Sequence, residues 1–62
     1  MLVQETGKYK LIEDYKVRTM YSIYNFGKDT IINITQIDKK NKKVIGPEIS
    51  DWVRWDMPVE KI

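Results

Sequence analysis

The stretch Thr30-Ile31-Ile32-Asn33-Ile34-Thr35-Gln36-Ile37 (30–37) decides the fold class of this chain. It holds four Ile and two Thr in eight residues. β-branched side chains lose rotamer freedom in a helix but pack well on a pleated surface, so this composition predicts a strand. A turn cluster around Gly27 (25–29) precedes the strand, and a polar turn (38–43) follows it. We therefore expect an all-β chain.

The stretch before this strand alternates with a period of two, which also predicts extended structure. Seven residues between 9 and 23 share one parity, and all of them except Leu11 are aromatic or β-branched: Tyr9, Leu11, Tyr15, Val17, Thr19, Tyr21 and Ile23. Glu13-Asp14 interrupts the pattern, so we place a bend there. Residues 1–8 are mostly polar, and we expect them to form a loose leader to a single domain of 62 residues.

The stretch after the central strand contains three further short strands. We predict them at Val44-Ile45, at Ile49 to Trp55 and at Val59 to Ile62, because Gly46-Pro47 and Asp56-Met57-Pro58 separate them. In the turn 38–43, Asn41 is the natural residue for a left-handed backbone. The predicted hydrophobic core consists of Leu11, Tyr15, Val17, Ile32, Ile34, Val44, Val53 and Val59.

Residues 26–62 resemble the Src-homology-3-like small barrels. The turn and strand FGKDTIINITQID (26–38) is similar to the part of that family that leads into its second strand, and IDKKNKKVIG (37–46) to the polar hairpin that follows. The ending DWVRWDMPVEKI (51–62) resembles a strand, a 3₁₀ turn with a Pro, and a short closing strand. The resemblance implies a five-stranded small β-barrel with a 3₁₀ turn before the last strand, or a close open variant of it.

Composition excludes several classes of protein. The chain has no Cys and no His, so it lacks disulfides and the usual zinc, iron–sulfur and haem ligands, and we expect no metal and no cofactor. The usual general base and best nucleophile are absent too, which predicts a non-enzyme. No signal-like start and no apolar run of about 18 residues is present, which predicts a cytoplasmic protein without a membrane partner. Nine Lys against two Arg, with many Ile and Asn, is typical of low-GC bacteria and their phages.

The C-terminal aromatic residues are candidates for a binding surface. Trp52 and Trp55 are three positions apart, so a regular strand directs them to opposite faces. If Val53 faces the core, then Trp52 and Arg54 lie outside and Trp55 lies at the strand end. An exposed Trp beside an Arg is the composition of an interface hot spot. The alternative, of about equal weight, is that Trp52 closes one end of the barrel as part of the core.

Tyr24 and Met20 have the opposite parity to the other aromatic residues of the first strands. A second apolar face there would indicate a contact outside the barrel. The alternative is a bend near Ser22 that resets the parity. The predicted protein-binding residues are Trp52, Arg54, Trp55, Tyr24 and Met20.

The favoured function is a non-catalytic module that binds a protein partner or a second copy of itself, such as a phage accessory protein that inhibits a host factor. The first alternative is a nucleic-acid-binding barrel that holds phosphates with Lys39, Lys40, Lys42 and Lys43. For these four Lys residues, an ordinary solvated surface turn is favoured over phosphate binding by about two to one. A weaker alternative is sequestration of a nucleotide at an oligomer interface, since a chain this small holds no deep pocket of its own.

Overall fold

The computed structural model describes residues 2–62, apart from the side chain of Ser50. It is all-β, and residues 2–62 contain no helix. The strands are β1 (Gly7–Leu11), β2 (Tyr15–Arg18), β3 (Ile23–Phe26), β4 (Ile31–Ile34), β5 (Gln36–Asp38), β6 (Lys43–Gly46), β7 (Ile49–Arg54) and β8 (Val59–Lys61).

The strands form three small antiparallel sheets. One three-stranded sheet has the order β4-β1-β8 and the other the order β5-β6-β7, while β2 and β3 pair only with each other. We call this β2–β3 hairpin (15–26) the arm. The predicted strand 30–37 is thus extended on both sides of Thr35, with β4 in one sheet and β5 in the other. This segment therefore passes from one sheet to the other.

The structure contains eight strands where the sequence predicts five, and the sheets do not close into one barrel. One reason is a tight turn at Thr19–Ser22, where the sequence pattern predicts continuous strand. The Thr19 Oγ1 accepts hydrogen bonds from the N–H groups of Tyr21 (3.2 Å) and Ser22 (3.1 Å), and the Thr19 N–H donates to the Ser22 carbonyl (2.8 Å). The Thr19 hydroxyl therefore stabilises a turn that contains neither Gly nor Asn, the residues by which turns are usually identified in a sequence. The predicted bend at Glu13-Asp14 is confirmed.

The segment 55–58 carries no 3₁₀ turn in the structure. Its backbone instead pairs with the start of the chain, because Asp56 forms an isolated antiparallel bridge with Leu2 and the Val3 N–H donates to the Trp55 carbonyl at 2.8 Å. The Val59 N–H then reaches back to the Met57 carbonyl at 2.9 Å across Pro58, which is the hydrogen bond of a γ-turn.

The start of the chain is attached to the body of the domain. We expected a loose leader over residues 1–8, of which Met1 lies outside the described residues. Val3 is fully buried, and Gly7 and Lys8 already belong to β1. The Tyr9 hydroxyl also donates to the Glu5 carbonyl at 2.7 Å. One buried Val in a polar segment holds this leader against the residues that follow β7.

The hydrophobic core lies between the two three-stranded sheets. Six of the eight predicted core residues are buried: Leu11, Ile32, Ile34, Val44, Val53 and Val59. The other two, Tyr15 and Val17, are half-buried in the arm and pack against the core from outside. The core also contains four residues that the sequence pattern did not place there: Val3, Tyr9, Ile49 and Met57.

The two sheets approach most closely where β6 crosses β4. Gly46 is buried, and a Cβ atom at this position would overlap the backbone carbonyl of Asn33. A side chain here would push the two strands apart and open the core between them. Gly46 therefore sets the distance between the sheets.

Glu48 secures the same crossing with two hydrogen bonds. Its carboxylate accepts one from the backbone N–H of Asn33 (2.9 Å) and one from the Asn33 side-chain amide (2.7 Å). Burial raises the pKa of this carboxyl, but the hydrogen bonds from Asn33 outweigh burial, and the pKa lies below its ordinary value. The ionised form of Glu48 therefore stabilises the fold.

We predict that Gly46→Ala destabilises the domain by about 3 kcal/mol or more, because overpacking at a rigid backbone contact cannot relax through a side chain. Gly27→Ala is the matched control, since no atom lies within 4 Å of a Cβ placed there. Its effect should stay within about 0.5 kcal/mol. Urea unfolding of the two variants measures both values, and equal stability of the two would show that the crossing is not tight.

We predict a contribution of Glu48 to stability that depends on pH. Because the folded-state pKa is lowered, the contribution is complete above the unfolded value of about 4.3 and is lost as the pH falls through the folded value. Glu48→Gln should remove this part of the acid dependence and cost about 1 kcal/mol at pH 7. Glu13→Gln, at an exposed carboxylate, is the control. Identical acid profiles for the two variants would contradict the prediction.

Candidate functional site

The arm is held at its base and along one face. At the base, the Lys28 N–H donates to the Asp14 carboxylate (2.8 Å) and the Asp29 N–H to the Leu11 carbonyl (2.9 Å). Along the face, the half-buried side chains of Tyr15, Val17 and Phe26 pack against the core. The base and this face are therefore fixed, while the tip of the arm projects from the body.

Tyr24 lies on this inner face and not on a second apolar surface. In the arm, Tyr24 stands opposite Val17 and Phe26 opposite Tyr15, so all four side chains share one side. The rings of Tyr24 and Phe26 are stacked, with centroids 6.0 Å apart and planes 7° from parallel. The turn at Thr19–Ser22 resets the parity, as the alternative interpretation held, and Tyr24 does not lie beside Met20.

The tip of the arm forms one wall of a groove of about 620 Å³. Met20 and Tyr21 occupy the tip and are 86% and 81% exposed. The opposite wall comes from the β5–β6–β7 sheet and includes Lys43, Asp51 and Trp52. Trp52 is 36% exposed, which places its ring at the surface with one side covered.

Two further depressions continue the groove along β7. One, of about 330 Å³, lies between Tyr15 and Val17 of the arm and Val53 of β7, and the other, of about 520 Å³, reaches Leu2 and Trp55. Lys43 lines all three depressions. We call the continuous surface the β7 groove, and its principal exposed or half-exposed side chains are Arg18, Met20, Tyr21, Lys43, Trp52, Arg54 and Trp55.

The β7 groove brings together four of the five predicted protein-binding residues. Val53 is buried while Trp52 and Arg54 lie outside, as the sequence predicts. Trp55 is half-buried at the strand end, where it packs against the core and still lines the groove. Met20 joins them from the tip of the arm. Only Tyr24 lies elsewhere.

Arg54, Asp56 and Asp51 of the groove have hydrogen-bonding partners within the chain. The Arg54 guanidinium donates to the Asp56 carboxylate at 3.1 Å, and the Asp51 carboxylate accepts from the Trp52 N–H at 2.8 Å. Burial, together with the nearby Asp56 charge, raises the pKa of the Tyr15 hydroxyl, and the Arg54 charge opposes this shift. The Tyr15 hydroxyl is therefore neutral at ordinary pH.

The Lys-rich turn (38–43) borders the β7 groove, and residues of the turn line all three depressions. The Asp38 carboxylate accepts hydrogen bonds from the side chain (2.7 Å) and backbone (3.1 Å) of Asn41, and these bonds lower the pKa of Asp38. All four Lys residues are exposed, but only Lys42 and Lys43 line the depressions described above. The left-handed residue is Lys42 (φ 59°), where we expected Asn41, because the amide of Asn41 is engaged with Asp38.

The arrangement offers recognition chemistry. Glu48, Asp51 and Asp56, the acids nearest the C-terminal strands, each have a hydrogen-bonding partner in the fold. Residues 2–62 contain no group of three or more acidic side chains able to hold a metal ion. Within that same range, no helix has the length and apolar character to cross a membrane.

Comparison of the chain with protein-family models, with curated proteins and with solved structures finds no match. The geometry of the β7 groove is therefore the basis for any assignment of function.

Arg18 and Tyr21 are groove residues that the sequence analysis did not single out. The signal that could have found them is the Thr-x-x-Ser spacing of Thr19 and Ser22, which marks a turn with Tyr21 at its tip and Arg18 directly before it. For Lys43 the sequence indicates only a phosphate contact. Its position opposite Arg54 depends on the β6–β7 register, which sequence alone does not supply.

We predict that Lys42→Asn stabilises the domain by about 1 kcal/mol, because Asn tolerates the left-handed backbone better than Lys does. The midpoint of thermal unfolding should rise by roughly 4–8 °C in a domain of this size. Lys39→Asn removes the same charge from the same turn at an ordinary backbone angle and serves as the control. An equal rise in both variants would attribute the effect to charge and not to backbone strain.

Proposed function

We propose that this chain is a non-catalytic binding module that recognises a protein partner through the β7 groove. The observation that carries the proposal is that Met20, from the tip of the arm, meets Trp52 and Arg54 of β7 on one surface. Trp, Arg and Met are enriched at protein interfaces, and an aromatic ring with one covered side is already largely ordered before binding.

We further propose that the fold is an open variant of the Src-homology-3-like small barrel. If β4 and β5 are counted as one kinked strand, then this strand, β1, β6, β7 and β8 make five strands. The arm is then a long insertion between the first strand, β1, and the second, β4–β5. The pairing of β1 with both β4 and β8 is the feature that supports this interpretation. The fold does not by itself fix the partner.

The proposed partner is another protein or a second copy of this chain. The Lys-rich, Arg-poor composition favours an accessory protein of a low-GC bacterium or phage, whose partner would be a host factor that it inhibits. The exposed tip of the arm suits such a role, because Met20 and Tyr21 can enter a pocket on a partner without any rearrangement of the core.

Trp52→Ala tests the proposal. The immobilised chain is used to capture proteins from a host lysate, and its native mass is measured at micromolar concentration. Loss of a hot-spot Trp should weaken capture or self-association by about 30-fold or more. Ile31→Ala is the matched control, since Ile31 is exposed to a similar degree on β4, in the other sheet. Equal capture and equal mass for the two variants would overturn the proposal.

A second candidate function is nucleic-acid binding. The observation that favours it is that Lys42 and Lys43 line the β7 groove together with Trp52. The Lys side chains could bind phosphates while a base stacks on the Trp52 ring. Binding to a mixed oligonucleotide should then fall steeply with salt and vanish when Lys39, Lys40, Lys42 and Lys43 are all changed to Glu. Absence of a mobility shift at low salt would remove this candidate. Sequestration of a nucleotide between two copies would require an oligomer in the same mass measurement.

A further inference from the structure

The facing edges of β2 and β7 are both unpaired within the described part of the chain. Each strand is the edge of its own sheet, and no pairing joins the two. Between them lies the depression of about 330 Å³ that Tyr15 and Val17 line from one side and Val53 from the other. A cleft between two strand edges presents backbone donors and acceptors on both walls.

The registers identify which backbone groups face the cleft. In β7, the Trp55 N–H donates to the Lys42 carbonyl, and Val53 pairs with Val44. Hydrogen-bonded and non-hydrogen-bonded pairs alternate along an antiparallel ladder. Arg54 lies between these two positions, so its N–H and C=O point away from β6. At Trp52 the β6–β7 register is irregular, and no ladder partner is shown for this residue. Its N–H is satisfied by the Asp51 carboxylate at 2.8 Å, as expected for a group without a ladder partner.

The same argument applies to β2. The Thr19 N–H donates to the Ser22 carbonyl, so Arg18 and Ile23 form a non-hydrogen-bonded pair. The backbone groups of Arg18 and Lys16 therefore point away from β3. In the arm this direction is the outer edge of β2, which borders the cleft.

The side chains around the cleft define what it can accept. On the core side its walls are Tyr15, Val17 and Val53, which favour apolar side chains. The remaining lining includes three cations, Arg18, Lys43 and Arg54, against one acid, Asp56, which is itself bonded to Arg54. An occupant that alternates apolar and acidic residues would match both sides, because successive side chains of a strand point to opposite faces.

We propose that the cleft between β2 and β7 binds an extended acidic segment of a partner protein as an added β-strand. The segment pairs with the edge of β7 on one side and with the edge of β2 on the other, which joins the arm to the β5–β6–β7 sheet. A strand of four to five residues matches the four residues of β2, about 13 Å at the usual rise. This inference rests on the proposed protein-binding function and names the form of the partner.

The β2 arm disfavours a second copy as the occupant. Pairing of β7 with β7 of another copy would bring a whole sheet to an edge that the arm already flanks. A single extended segment needs only the width of one strand, about 4.8 Å from each neighbour.

The test uses a synthetic seven-residue peptide that alternates Glu with Val, acetylated and amidated at its ends. Three matched peptides accompany it. One has Lys in place of Glu. The other two carry N-methyl groups on alternate backbone amides, so that each of them blocks hydrogen bonding along one edge of the peptide strand. Fluorescence anisotropy measures their binding to the wild-type chain. We expect the Lys peptide and both methylated peptides to bind at least tenfold more weakly than the parent.

The protein variants separate the backbone of β7 from its side chains. Arg54→Ala removes the cation, while Arg54→Pro also removes the N–H that faces the cleft, at an edge position where Pro is tolerated. Binding should fall further in Arg54→Pro than in Arg54→Ala. Hydrogen exchange of the wild-type complex gives a readout that does not depend on any variant folding, and the amides of Lys16, Arg18 and Arg54 should be protected by the peptide.

Each contrary outcome has a distinct meaning. If the parent peptide binds but tolerates N-methylation, or protects none of these three amides, strand addition is wrong and the proposed function stands. If no peptide binds while capture of a partner still depends on Trp52, strand addition is again wrong. Loss of any Trp52-dependent capture or self-association would instead remove the proposed function.

Discussion

The close contact of Gly46 with the backbone of Asn33 is the constraint on which the rest of the structure depends. It allows β6 to cross β4 closely, and Glu48 holds the crossing with two hydrogen bonds to Asn33. A chain of 62 residues without Cys or His has a marginal core, so a wider separation of its sheets would cost much of its stability. The crossing also fixes the direction in which β7 follows β6.

The position of β7 in turn creates the groove. Val53 enters the core, and the alternation of the strand then places Trp52 and Arg54 outside. The arm packs its inner face on the same core and projects its tip beside Trp52. The aromatic residues are distributed accordingly: Tyr9 is buried, Tyr24 and Phe26 stack in the arm, and Tyr21 and Trp52 lie at the surface.

Much of the core could be predicted because it depends on local alternation. Ile32, Ile34, Val44 and Val53 lie in strands that their own residue types specify, and all four are buried. Val3 and Met57 could not be found in this way, since each is an isolated apolar residue in an irregular segment. Their burial depends on a bridge between Leu2 and Asp56, which are 54 positions apart in the chain.

The amino-acid sequence by itself determined the all-β class, the principal strands of the C-terminal half and the outward position of Arg54, because strand propensity and period-two alternation are local properties. The sequence left two positions open for Trp52, and the tertiary structure places it at the surface, 36% exposed. Only the tertiary structure decided that strand 30–37 divides at Thr35 between two sheets, that the arm turns at Thr19–Ser22, and that Met20 meets Trp52. These features depend on which distant backbones pair and how closely they approach. Pairing of that kind is set by burial over the whole chain, and no single segment encodes it.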